Sequence, residues 1–173
     1  DGIMIVTTYY SKPSQFGILK HFEQISKNTD LPIMAYNIPG RTATLIEIET
    51  LEKLVGDIGI HSIKDGVGDL EFSKNELEVL KGEVDIYSGN DAETIEFMKV
   101  GGKGVVSVAS HVVGNEIHDL INHVLNDEIE SAEHLQNQLL PLFDLLFEEP
   151  SPGPVKYLLT KTWEDVGSPL MPI

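Results

Sequence analysis

Three side chains in this sequence are suited to reaction chemistry and sit where a fold would present them: Lys64, Tyr36 and Arg41. Lys64 closes the apolar run GIHSIK, so its stem lies among aliphatic neighbours. Desolvation disfavours the ammonium form, and an amine nucleophile toward a carbonyl needs the neutral form. The plainer role is a lysine whose head snorkels to water from a strand end. Tyr36 ends an apolar run and can give or take a proton beside such an amine. Equally, a strand-end tyrosine packs its ring and hydrogen-bonds its hydroxyl. Arg41 follows the Pro39-Gly40 turn in AYNIPGRTAT. Its guanidinium suits bidentate carboxylate binding, and suits a solvated loop as well. Gly89 permits close approach of backbone to a ligand or simply makes a turn. Asn90 and Asp91 follow it directly, and Asp91, like Asp65, either joins a site or caps a helix. The six histidines show no H-E-x-x-H or comparable spacing, so no metal centre is predicted.

Five apolar runs must position these groups: IMIVTTYY (3–10), PIMAYN (32–37), IGIHSIK (58–64), VDIYSG (84–89) and GVVSVAS (104–110). They are rich in Ile and Val, and most are apolar on both faces, as in strands of a parallel sheet. Amphipathic helices are predicted between them, from Pro13-Ser14 with Phe16, Ile18, Leu19, Phe22 and Ile25, then over 45–55, 72–80 and 92–100. Gly101-Gly102 ends the last of these. The alternation predicts an α/β fold of right-handed βαβ units, either an open doubly wound sheet or part of a barrel. In both, ligands bind at the carboxyl ends of the strands. Those ends read Tyr9-Tyr10, Tyr36-Asn37, Lys64-Asp65, Gly89-Asn90-Asp91 and Ser107 to Ser110, a rim of polar and ionisable groups. Beyond residue 113 only helices are predicted, over 115–126, 127–149 and 154–165, which divides the chain into 1–113 and 114–173. No glycine-rich phosphate motif follows any strand.

The 173 residues suffice for one core, and 41% hydrophobic with 23% charged residues is an ordinary globular composition. A net charge of −16 argues against nucleic acid as a partner. No cysteine is present, which excludes disulfides and thiolate chemistry and fits a reducing cytoplasm. No apolar run approaches the roughly 20 residues of a membrane span, and no signal peptide is visible.

The segments TTYYSKPSQFG (7–17), YNIPGRT (36–42), IHSIKDGVGDL (60–70), YSGND (87–91) and GGKGVVSVAS (101–110) resemble the dihydrodipicolinate (4-hydroxy-tetrahydrodipicolinate) synthase family, in order and along the whole chain. The resemblance implies a (β/α)8 TIM barrel with a C-terminal helical extension, assembled as a homotetramer of tight dimers. It implies a lyase of the cytoplasm that condenses pyruvate with L-aspartate 4-semialdehyde, the first committed step of the diaminopimelate route to lysine, without cofactor or metal. By the same resemblance Lys64 forms a Schiff base with pyruvate and Tyr36 shuttles protons. Arg41 holds the semialdehyde carboxylate, and Tyr10 reaches into the neighbouring subunit's site. Gly89 and Val106 line the pyruvate pocket, and Tyr9 lies near an allosteric lysine site. Asn90 and Asp91 are candidate substrate-binding residues beside Gly89.

Sialic acid lyase and 2-keto-3-deoxy sugar acid aldolases share the tyrosine and lysine but generally lack the arginine, so Arg41 with YYSKPSQ favours the synthase. The sequence departs from the family at TTYY, where proline usually precedes the tyrosine pair, and at SIKDG in place of GIKEA. A barrel needs eight strands and about 250 residues, whereas five are predicted here, corresponding to the fourth to eighth units. The start at DGIMIV therefore reads as a cut, with the family's Gly-Thr-Thr-Gly-Glu loop and last helix outside the sequence. Such a chain is either the visible part of an active synthase or a non-catalytic piece that persists with a partner covering its sheet edges.

Overall fold

A computed structural model describes all of residues 1–173, which divide into two compact units. The first, Asp1–Asn90 with Glu96–Val105, contains the sheet. Its strands are β1 (Ile3–Val6), β2 (Ile33–Asn37), β3 (Ser62–Asp65) and β4 (Asp85–Ser88), all parallel and in sequential order. The helices that follow β1 to β3 are α1 (Gln15–Ser26), then the short α2 (Pro39–Thr42) and α3 (Ile48–Lys53), then α4 (Leu70–Val79). The Ser14 hydroxyl accepts from Gly17 N–H and starts α1; Asp69 accepts from Glu71 and Phe72 N–H and starts α4. A sequential order separates the two topologies left open by periodicity: a doubly wound sheet reverses its strand order, and a barrel does not.

Register assigns each side chain to a face. Ile5, Ala35, Ile63 and Ile86 form one row, packed under the helices with Ile18, Phe22, Leu51, Leu54 and Phe97. Burying each such Ile contributes about 1.5–3 kcal/mol. The row one step along the other face reads Val6, Tyr36, Lys64, Tyr87. On this second face the sequence predicts strands buried on both sides, but Met4 is 50% exposed.

The predicted fifth strand over 104–110 does not form. Only two backbone bonds, Lys103 N–H to Ile86 and Ser88 N–H to Gly104, and a single bridge at Val105 continue the sheet. Past that bridge the run leaves β4 without further pairing, and from Ser110 the chain is helical. The run IGIHSIK also begins late as a strand, because α3 continues into a π-helical turn over Leu54–Ile58 that ends on left-handed Gly59 (φ 80°).

The second unit is Asp91–Ile95 with Val106–Ile173. The helix α5 (Thr94–Lys99) begins in this unit and ends in the first. Three helices follow, α6 (Ser110–Leu125), α7 (Ile129–Glu148) and α8 (Gly153–Thr162), and all three pack on one another. Their buried residues include Ile117, Leu120, Leu139, Phe143, Leu146 and Val155. The helix α6 starts five residues earlier than periodicity predicts and is kinked at Val113. No helix is long and apolar enough to cross a membrane.

Candidate active site

Parallel pairing sets Tyr36 directly opposite Lys64, and Lys64 opposite Tyr87. All three therefore point from the same face at its carboxyl end. Lys64 is 7% exposed, and its Nζ lies 4.2 Å from the centre of the Tyr36 ring. Burial pushes the Tyr36 phenol above its ordinary range, and the positive charge of Arg41 pulls it partly back. The phenol is thus a proton donor at neutral pH, with a cation near enough to stabilise its anion. Arg41 sits exposed in α2, which the Pro39 ring starts and left-handed Ala43 stops. It is the chain's single arginine.

Gly89 closes the site from the β4 side. Its N–H donates to the Asp65 carbonyl, and a Cβ there would lie 2.8 Å from that oxygen and 3.1 Å from Lys64 Cε. Only glycine lets the chain pass this close to the lysine stem. The structure thus brings Lys64, Tyr36, Arg41 and Gly89 together.

The remaining candidates are placed differently. Asn90 is exposed, and both its backbone N–H and carbonyl bond the Ser88 hydroxyl. Asp91 is 3% exposed in the second unit, where its carboxylate accepts from Val108 and Ala109 N–H. Val106 is half-buried and also belongs to that unit. Tyr9 and Tyr10 lie in the loop after β1, 73% and 94% exposed, and Tyr10 takes a left-handed backbone (φ 67°). That conformation is uncommon for a bulky residue. Among His, Asp and Glu, no group of three converges as metal ligands would.

Several supporting residues take places that motifs alone do not give: Asn37 and Asp65, read from the sequence as part of the polar rim, turn to the other face of the sheet. The buried side chains Asn37, Asp65 and Ser88 lie in one row beneath the helices. Asn37 clasps Ile46 through both its N–H and its carbonyl, fixing the loop that follows Arg41. Asp65 accepts from Val67 N–H and the Ser73 hydroxyl rather than capping α4 at its first turn. Gly66 leaves room for the tyrosine ring, since a Cβ there would meet Tyr36 Cε2 at 3.0 Å. The alternation of β2 and β3 carried the signal: a polar residue one step past Ala35 and Ile63 on the buried face must find partners.

A sequentially ordered parallel sheet, with a lysine and a tyrosine facing each other at its carboxyl rim, defines a protein of the β/α-barrel class. The chain superposes on a dihydrodipicolinate synthase from Bacillus anthracis with a TM-score of 0.95 and 42% identity, over 100% of this chain and 59% of that one. It belongs to the dihydrodipicolinate synthetase family, whose model matches residues 1–173. A 4-hydroxy-tetrahydrodipicolinate synthase of Halalkalibacterium halodurans is 42% identical over 173 residues, 100% of this chain and 59% of the relative. An Acinetobacter baumannii dihydrodipicolinate synthase, solved in complex with pyruvate, is 31% identical with a TM-score of 0.93, over 100% of this chain and 60% of that one. The chain thus spans about three-fifths of the length of these relatives.

Proposed function

We propose that the chain carries the Schiff-base centre of a 4-hydroxy-tetrahydrodipicolinate synthase, acting in the cytoplasm on pyruvate and L-aspartate 4-semialdehyde. The observation that carries this reading is the buried Lys64 amine held over the Tyr36 ring and hemmed in by Gly89. Lys64 Nζ attacks the keto carbon of pyruvate, a C–N bond forms, and the keto oxygen leaves as water after protonation. Tyr36 supplies and recovers protons at that oxygen. The imine withdraws electrons, the pyruvate methyl loses a proton, and the resulting carbon nucleophile attacks the aldehyde of the second substrate. Arg41 holds that substrate's carboxylate.

The net charge of −16 opposes two anionic substrates at long range. Lys64 and Arg41 make the rim locally favourable. Gly89 presents its backbone to pyruvate, and Val106, Asn90 and Asp91 are further substrate-binding candidates. In this reading 1–113 is barrel and 114–173 a helical extension. Tyr10, exposed on a left-handed turn, is the residue that reaches a second copy in a tight dimer of a tetramer, and Tyr9 adjoins an allosteric site. The arginine favours this synthase over sugar-acid aldolases.

The testing experiment is intact mass after incubation with pyruvate and borohydride, followed by peptide mapping. A reduced adduct on Lys64 is expected; a folded chain that forms none overturns the reading. Tyr36→Phe keeps the ring beside the amine and removes the proton carrier, so trapping is expected to slow by about 10²–10⁴-fold, the usual contribution of a positioned acid–base group. Stopped-time trapping followed by mass spectrometry measures it. Arg41→Ala removes a charge-assisted contact of about 1.5–3 kcal/mol. It is expected to weaken semialdehyde use about ten- to hundredfold, with pyruvate trapping little changed. Equal loss of both steps contradicts its role.

A further inference from the structure

Beneath Lys64, on the opposite face of β3, lies a pair of buried carboxyls that the reaction does not use. Asp65, next in sequence to Lys64, is 4% exposed, and Glu76 of α4 is fully buried. Asp65 is supplied with donors: Oδ1 accepts from Val67 N–H at 2.8 Å and Oδ2 from the Ser73 hydroxyl at 2.5 Å. Ser73 is one helical turn before Glu76 and shares its face. Neither oxygen of Glu76 meets an N–H or O–H donor. Its carboxyl instead faces that of Asp65 within hydrogen-bonding reach. Two carboxyls can bond to each other only if one holds a proton.

The surrounding charges decide which one. Asp69 at the start of α4 adds a further negative charge, and the charged residues of α3, which packs on α4, are Glu49, Glu52 and Lys53, all exposed. Asp65 has two donors to stabilise its anion, and Glu76 has none, so the proton belongs on Glu76. Burial first, and then the Asp65 charge, push the Glu76 acid up to about 9. Burial also raises Asp65, opposed by its bonds to Ser73, Val67 and Glu76.

We propose that Glu76 is a positioning residue: as the neutral acid it donates a hydrogen bond to the Asp65 carboxylate, tying α4 to the end of β3 and fixing the backbone from which Lys64 projects. The positioning role rests on the reading of Lys64 given above; the state of the Glu76–Asp65 pair does not. Because native Glu76 titrates above the unfolded value of 4.5, the stability it contributes is fully present below that value and declines as pH rises through about 9.

The test compares the full chain with Glu76→Gln, which keeps the shape and an N–H donor but cannot ionise, and with Glu76→Ala. Infrared difference spectra at pH 7 are expected to show a protonated carboxylic acid in the parent that is lost in Glu76→Gln. Thermal midpoints of the parent are expected to fall more steeply than those of Glu76→Gln between pH 7 and pH 10. For positioning, Glu76→Gln should trap pyruvate on Lys64 at the parental rate at pH 7 and keep that rate at alkaline pH where the parent slows. Glu76→Ala should be slower throughout. A parent with no protonated acid at pH 7, or identical pH dependence of parent and Glu76→Gln, overturns the proposal. If no variant traps pyruvate, the role assigned to Lys64 falls, while infrared and unfolding still decide the pair.

Discussion

Lys64→Ala is expected to abolish the borohydride-trapped pyruvate adduct while the chain stays folded. The amine is the only part of the side chain that can form the imine, so the loss is complete rather than graded. The stability change is small because opposing effects nearly cancel. Truncation removes aliphatic packing and a contact with the Tyr36 ring that is 4.2 Å from Nζ, worth about 0.5–2 kcal/mol when the amine is charged. It also relieves the desolvation of an amine that is 7% exposed. Lys64→Arg separates the contributions: it restores a cation over the ring without a nucleophile, and it too should give no adduct. Peptide mapping of both variants checks this against the chain's other lysines. An adduct that persists at undiminished yield in Lys64→Ala would place the reactive amine elsewhere.

Gly89→Ala should damage both fold and site. Its Cβ would fall 2.8 Å from a backbone oxygen of Asp65, which cannot rotate away, and 3.1 Å from Lys64 Cε. Overpacking of this kind costs about 1–3 kcal/mol. For a chain of 150–250 residues that lowers the thermal midpoint by about 2–4 °C per kcal/mol. Relief comes only by moving the β4 end away from β3 or by turning the lysine stem, and either displaces the amine. Trapping should therefore slow by more than the stability loss accounts for. Gly40→Ala is the control, since a Cβ at Gly40 meets nothing within 4 Å. Paired melting curves and trapping rates measure both effects, and a Gly89→Ala chain indistinguishable from the control would show that the close approach has no consequence.

Much of the candidate site was legible because its members end apolar runs. Lys64, Tyr36 and Gly89 each sit at a strand end, and Arg41 stands behind a proline turn that periodicity and turn chemistry both mark. The strand ends were legible only approximately. The run 3–10 stops as a strand at Val6, and 104–110 hardly forms one, since a strand exists only where a neighbour pairs with it. Apolar composition does not record the neighbour. The second face of the sheet misled for the same reason: Met4 and Met34 look like core residues, and Met4 is half exposed.

By itself, the sequence determined the α/β alternation, the run of helices after residue 113 and the residue types gathered at the carboxyl rim. These follow from periodicity and from the fixed chemistry of each side chain, both of which are local. Tertiary structure alone decided the sequential strand order, the pairing of Tyr36 with Lys64, the clasp of Asn37 on Ile46, and the meeting of Asp65 with Glu76. Each of these depends on register between segments distant in sequence, where a slip of one residue would send every side chain to the other face. A glutamate at position 76 reads as one more surface charge until the fold places it, fully buried, against a second acid.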